Sequence, residues 1–572
     1  MDGRTRNLHL DKSKLGYLLI GIPVCFLLLW LIAVPLLMVF VTSFQVADPA
    51  TGATSFGLQS WVTLGSKEAL EAIGNSLLLA LLVSLFSVVI ALPVAFILAK
   101  TKLRKLWWLD IVFMIPFMIP PYINSMGWIN FMGENGILWR LSDFFHPLCE
   151  SFFSIWGMAF VMSLHTAPFL MTLMKNALLA LPASLDDSSY IFSKSRIRRV
   201  LSIYGPILLP NFAIGAFLVF VKALAEYGTP STFQVFTNLE VFSTLITNRI
   251  QVMPISFGEA SALATLLLSI CMVLYALELT ITSRRAYALN GTPAKKAKGG
   301  TLSLIIGSLV LLVLFFFSVF IPFYSIFTYS ITEIPYLGLT RDNISFENYR
   351  LAFSDETGFG NGWQAIANTF EVGLLSGVII LVCGLCFGVY VRRYRKKRIG
   401  RVVEFLDMLP QMIPNIVTGI GFIMLYNSIS KAIPIYGTEW VLIIAYIIIF
   451  LPNMFSYIKN SLMQMPESLL EAGDIYSHSR ANVDLEIVMP YAYKGAFYGF
   501  IMVLIISMRE LVTAKLLLPG YFYTISVFID KQYSQGNQGA AMALAVVSIM
   551  ITLVILIPLE FISYRAKKGD NR

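Results

Sequence analysis

Charge is scarce in this chain: Asp, Glu, Lys and Arg make up 13% of its 572 residues, where soluble globular proteins carry about 25%. Set against 57% hydrophobic residues and a mean hydropathy of +0.74, that shortage excludes an ordinary soluble fold, which would leave too much apolar surface in water. Histidine is scarce as well. His9, His146, His165 and His478 are scattered, with no spacing that sets two imidazoles on one helical face, so no metal site is expected. The five cysteines make no disulfide framework, since all but Cys149 fall inside apolar runs. Cys383 and Cys386 form a CxxC, but within an apolar stretch and without a second ligand pair, so they read as helix packing. There is no GxxxxGK[ST] phosphate loop, and no Ser/His or His/Asp/Glu constellation marks a catalytic centre. The net charge of +9 does not point to nucleic acid, because the Lys and Arg sit in short clusters between apolar stretches instead of on one basic face.

Long apolar runs are what the chain has in abundance. A helix needs about 20 residues to cross a hydrocarbon core of about 30 Å, and twelve stretches qualify, near 15–43, 76–99, 106–131, 155–179, 207–226, 258–281, 301–330, 368–391, 402–427, 438–460, 491–511 and 538–563. The first is too long for a signal-peptide core and lacks a small-residue cleavage site, so it stays as a span. With the N-terminus inside, the cytoplasmic segments hold 32 of the 42 Lys and Arg. The positive-inside rule then places both termini in the cytoplasm. The expectation is an all-α membrane protein of about twelve transmembrane helices.

The spans repeat. Residues 187–206 and 471–490 share identities at an offset of 284, and the same offset pairs Pro168 with Pro452 and Glu226 with Glu510. Upstream, Pro116 and Pro120 pair with Pro410 and Pro414 at 294, and Asn75 with Asn368 at 293, which puts about ten extra residues in the first half near 132–154. A collinear series with one insertion, placed in a loop, marks an internal duplication. The halves are 1–290 and 291–572. With six spans in each, they enter the membrane the same way round, as two parallel six-helix repeats.

The second repeated loop, Glu471-Ala472-Gly473 followed by Ser477, Ile487 and Met489-Pro490, resembles the EAA loop of ABC importer permeases, a pattern of EAA, three residues, Gly, nine residues and Ile-x-Leu-Pro. The first copy fits with Asp187 for Glu, Ser188 and Ser189 for the alanines, Ser193 for Gly, then Ile203 and Gly205-Pro206. Both copies fall on the cytoplasmic side between the fourth and fifth spans of their halves. The chain is similar to the fused permeases of ferric-iron, thiamine and aminoethylphosphonate importers, including the runs Ala225-Glu226-Tyr227-Gly228-Thr229 and Met508-Arg509-Glu510-Leu511 after the loops.

The resemblance implies the type I ABC importer permease fold in a bacterial plasma (inner) membrane. It also implies two copies of a cytoplasmic ATPase carrying ATP and Mg, and an extracytoplasmic substrate-binding protein. Asp187, Ser188, Ser189, Ser193, Arg196, Glu471, Ala472, Gly473, Ser477 and Arg480 would dock the ATPase as two short helices joined by a turn. Ferric iron is the first expected cargo; thiamine, a phosphonate or a polyamine stays open.

The translocation path is expected near Glu226, Arg509 and Glu510, with the carboxylates at a wet outer mouth. Pro116, Pro120, Pro410 and Pro414 should break their spans where protein or water takes over the freed carbonyls. A twelve-span secondary transporter is the rival reading; it accounts for neither the paired loops nor the lack of mid-membrane carboxylates.

Overall fold

The computed structural model describes residues 26, 29–47, 54–182, 188, 191, 195, 198, 200–284, 301–357, 360–394, 398–476 and 480–569. Apart from short helices at Gln59–Val62, His146–Phe152 and Glu347–Phe353, its α-helices include α1 (Leu29–Thr42), α2 (Lys67–Lys100), α3 (Trp107–Met118), α4 (Pro121–Met132), α5 (Ile155–Leu179), α6 (Gly205–Leu224), α7 (Gly228–Gln234), α8 (Phe242–Gln251), α9 (Phe257–Arg284), α10 (Thr301–Phe315) and α11 (Ile321–Ser330). The second half adds α12 (Gly362–Tyr394), α13 (Arg398–Met408), α14 (Asn415–Ser428), α15 (Glu439–Met463), α16 (Glu467–Tyr476), α17 (Arg480–Val483), α18 (Met489–Arg509), α19 (Val512–Leu517), α20 (Ile525–Ser534) and α21 (Gln538–Gly569).

Nine of the expected spans coincide with one helix each, the start of the first lying outside the described residues, while 106–131, 301–330 and 402–427 each cover two in succession. Among the described residues, eight helices are long and apolar enough to cross a membrane, and up to eleven if each bent pair is one span. Among them the departures from all-α structure include a short antiparallel pair, Gln45–Ala47 with Thr54–Phe56, and an isolated bridge between Thr332 and Ile344.

The bends have a local cause. A residue before proline is pushed out of the helical region, and Ile119 and Pro120, each followed by proline, are both extended (ψ 143° and 132°). Ile413 before Pro414 is extended likewise (ψ 124°). The axis therefore turns by 88° between α3 and α4 and by 98° between Met412 and Asn415. This corrects the reading of the proline pairs. Pro116 stays inside α3 and Pro410 inside a tight turn, Leu409–Met412, so of these four only Pro120, followed by Pro121, and Pro414 stand at the breaks. All four prolines are buried, and α4 is buried along nearly its whole length, as irregular backbone at membrane depth must be.

The chain forms two compact units. One holds the described residues up to Val41, Ala367–Met508 and Thr513–Phe522; the other holds Thr42–Ile366, Arg509–Val512 and Tyr523 onward. These units cut across the halves of the repeat, because α1 belongs with α14 and α15, whereas α10, α11 and α21 belong with α2 to α5.

In the first unit α15 is the centre. A Cβ on Gly388 of α12 would lie 2.5 Å from Ile458, and one on Gly495 of α18 would lie 2.5 Å from the Tyr457 carbonyl oxygen. With Gly384 and Gly499 these make two small-xxx-small stripes that let both helices approach α15 closely. Cys386, on α12, is exposed, which corrects its reading as a packing residue.

In the second unit α2 lies along α5, joined by a Ser87–Thr166 hydroxyl bond of 2.8 Å, and α11 packs on α4 and α21. Ser66 caps α2, its hydroxyl accepting the Ala69 N–H at 3.3 Å, with Glu68 in the first turn and Lys100 in the last. That charge order suits the helix dipole.

Candidate functional site

The second loop has the two-helix form expected of it. From α15 the chain enters α16, passes 477–479, which lie outside the described residues, and resumes as α17 and a π-turn, Asp484–Val488, leading into α18. Gly473 is buried, and a Cβ there would sit 2.7 Å from Ile487 Cδ1 and 3.0 Å from Val483 Cγ1. Glycine thus lets the arms of the loop close on each other.

The other face of α16 is exposed, and it mixes acid with apolar surface. Glu471 and Asp474 are exposed, while Ile475 and Tyr476 stand 77% and 85% in the open. Two large apolar side chains presented on a loop mark a surface waiting for a partner. Ala472 is half-buried and Arg480 opens α17.

Both arms are tied to one residue that the motif does not contain. The Arg393 side chain, near the end of α12 and only 7% exposed, donates to Asp474 on α16 at 2.9 Å and to Asp484 in the π-turn at 2.8 Å. Its neighbour Arg392 donates to the Met465 carbonyl at 2.9 Å, where the chain leaves α15. In the sequence both count only as cytoplasmic positive charge.

Of the first loop, Asp187, Ser189, Ser193 and Arg196 lie outside the described residues, as Ser477 does in the second; Ser188 is described and helical. The first loop ends in a π-turn, Val200–Tyr204. It stands 284 residues before its counterpart at Asp484–Val488.

The repeated carboxylates mark a second region. α6 ends at Leu224, and the Glu226 carboxylate folds back to accept the Thr229 N–H at 3.0 Å, closing the turn into α7. Ser243 donates to the Glu226 carbonyl at 2.7 Å, and Ser526 to the Glu510 carbonyl at 2.6 Å. The repeat thus reaches past the loops into the short helices α7–α8 and α19–α20. Glu226 is half-buried, but Glu510 is only 6% exposed, so the expected wet mouth is corrected for Glu510.

Two cations stand in the same region as Glu226. Arg509 lies over the Phe117 ring at 5.3 Å and donates to the Phe117 carbonyl. Phe117 stacks on Phe169 at 6.0 Å, and Lys222 lies over Phe169 at 5.1 Å. Two cations are thereby held on two stacked rings.

A third region lies on loops assigned by charge to the outer side. A cleft of about 760 Å³ is lined by Glu134, Glu333 and Glu356 with Asn135, Asn537 and Gln538. Arg350 bridges Glu347 and Glu356 at one wall and holds both carboxyls below their ordinary range. Among the described residues no three His, Cys, Asp or Glu are grouped to hold a metal.

Residues 384–567 match the family described as binding-protein-dependent transport system inner membrane component. Over 577 residues the chain is 23% identical to a ferric transport system permease protein of Actinobacillus pleuropneumoniae, covering 98% of this chain and 81% of that one. Over 543 residues it is 23% identical to an Fe(3+)-transport system permease protein of Haemophilus influenzae, covering 94% and 95%. A putative 2-aminoethylphosphonate transport system permease protein of Salmonella typhimurium is 23% identical over 210 residues, covering 36% and 77%.

Proposed function

We propose that this chain, a fused two-half permease of the ABC importers, carries ferric iron inward across the plasma membrane. The observation that carries this reading is the similarity to two iron permeases over nearly the whole chain. The loop supports the transport mechanism. A two-armed knob with exposed Ile475 and Tyr476, braced by Arg393, is a surface on which a soluble ATPase can push. With no phosphate loop of its own, the chain depends on two copies of such an ATPase for ATP and Mg. Both termini are cytoplasmic in this reading, and an extracytoplasmic binding protein delivers the cargo at the outer cleft.

One observation favours an anionic cargo instead. Lys222 and Arg509 both lie on the Phe117–Phe169 ring pair, and two cations held together would suit a phosphonate.

Proteoliposomes holding the permease, its ATPase and its binding protein decide between the two. Radioiron uptake that depends on ATP, with no accumulation of aminoethylphosphonate, is expected. Glu471→Lys combined with Ser477→Pro should leave the permease inserted but abolish uptake and weaken co-purification of the ATPase. Unchanged uptake by that variant would remove the loop from the docking surface.

A further inference from the structure

Asp110, in the first turn of α3, is hydrogen-bonded to Lys175 near the end of α5, and Glu404 of α13 is hydrogen-bonded to Lys459 near the end of α15. The two contacts lie in different compact units, yet they are copies of one another. Each carboxylate stands ten residues before the proline that breaks its span, Pro120 or Pro414. Each lysine stands seven residues after the proline within its own helix, Pro168 or Pro452, and twelve before the first residue of the repeated loop, Asp187 or Glu471.

The lysines are largely withdrawn from solvent, Lys175 17% and Lys459 22% exposed, whereas Asp110 is 42% and Glu404 27% exposed. An exposed ion pair contributes little to stability and leaves no reason for its position to be kept. Here the position is kept in both halves while the carboxylate changes between Asp and Glu. What the two places share is connectivity: the lysine is on the helix that runs into the loop, and the carboxylate is on the first arm of the broken span. Apolar packing between helices lets them slide, whereas a charged contact fixes their register.

We propose that Asp110–Lys175 and Glu404–Lys459 are the positioning contacts through which movement of each cytoplasmic loop reaches the broken span beside it. The proposal rests on the reading of the loops as ATPase docking surfaces. Its reach differs between the halves. One turn beyond Glu404 lies Asp407, 3% exposed, with neither carboxylate oxygen hydrogen-bonded among the described residues and Lys459 within electrostatic range. The equivalent residue in the first half is Phe113. Lys459 therefore has a second acceptor about 5 Å along α13, and Lys175 has no equivalent one at that place.

The test uses the full transporter in proteoliposomes and compares ATP hydrolysis with and without the binding protein. Lys175→Gln and Lys459→Gln are each expected to retain the ATPase and the unstimulated hydrolysis, and to lose at least fivefold in binding-protein stimulation and in uptake. Lys175→Arg and the exchange of Asp110→Lys with Lys175→Asp are expected to restore at least half of both. Full stimulation in the two Gln variants overturns the proposal, and so does an exchange no better than Lys175→Gln alone. A Gln variant that fails to insert leaves the exchange and the Arg variant to decide by the same ratio. Failure of the docking reading shows itself separately, as normal transport by the Glu471→Lys, Ser477→Pro variant.

Discussion

The two repeats brace their loops with different chemistry. At the end of α12, Arg393 is buried and joins two carboxylates on the two arms of its loop. The residue in the same place of the first half, 293 positions earlier, is Lys100, whose ammonium lies over the Tyr204 ring of the π-turn at 5.4 Å. A planar guanidinium can bond two carboxylates at once; an ammonium on a ring gives one diffuse attraction of about 0.5–1 kcal/mol at an exposed site. Duplication has kept the π-turn and the cation at the helix end while the contact between them diverged. Transport that needs both loops should therefore be more sensitive to damage in the second.

The strongest way to break this comparison is Arg393→Ala. It strands Asp474 and Asp484 beside each other without their shared cation and frees the arms of the loop. Asp484 is 12% exposed but Asp474 37%, so solvent screens part of the loss and the cost falls below the about 3–5 kcal/mol of a fully buried pair; uptake should still fall at least tenfold, with loss of ATPase co-purification. Lys100→Ala should lower uptake by about twofold or less. Equal losses in the two variants, measured in the same proteoliposomes, would show that the loops are braced alike.

A smaller effect is expected where the halves carry the same residue in different surroundings. Glu226 is half-buried and closes a turn through the Thr229 N–H, whereas Glu510 is buried. In Glu226→Gln the amide oxygen still accepts that N–H, so the turn survives and only the charge beside Arg509 is removed. A loss of about threefold in ferric iron uptake is expected, with binding-protein-stimulated hydrolysis intact. Undiminished uptake would make Glu226 a turn-closing residue alone.

What could be read from the sequence follows the range of each interaction. Apolar runs and proline are local signals, and they located the spans and the two breaks. They did not say which proline of each pair bends the chain, because that depends on what precedes it: Ile119, Pro120 and Ile413 are the residues forced into extended backbone. The loop motif named Gly473 but could not name Arg393, since a contact across 81 or 91 residues has no spacing of its own. The ion pairs of α3 with α5 and of α13 with α15 left a trace, in that Asp110 and Glu404 repeat at the offset of the proline pairs and Lys175 and Lys459 at that of the loops. The burial of Glu510 is a tertiary outcome that has no local signal in the sequence.

The finest distinction between the halves is Asp407 against Phe113. A carboxylate that is 3% exposed, with both oxygens unbonded among the described residues, is a burden on the fold that the first half does not carry. An unsatisfied buried polar group costs about 1–3 kcal/mol, and more when it is charged. Asp407→Leu should therefore raise the midpoint of thermal unfolding in detergent, and Phe113→Asp, which places a carboxylate where the first half has a ring, should lower it. If Asp407 is kept as the second acceptor for Lys459, the stabilised variant should lose about half of its binding-protein stimulation, a gain in stability set against function. A lower midpoint for Asp407→Leu would mean that Lys459 already binds both carboxylates in the resting protein, and the difference between the halves would then be one of strength instead of exchange.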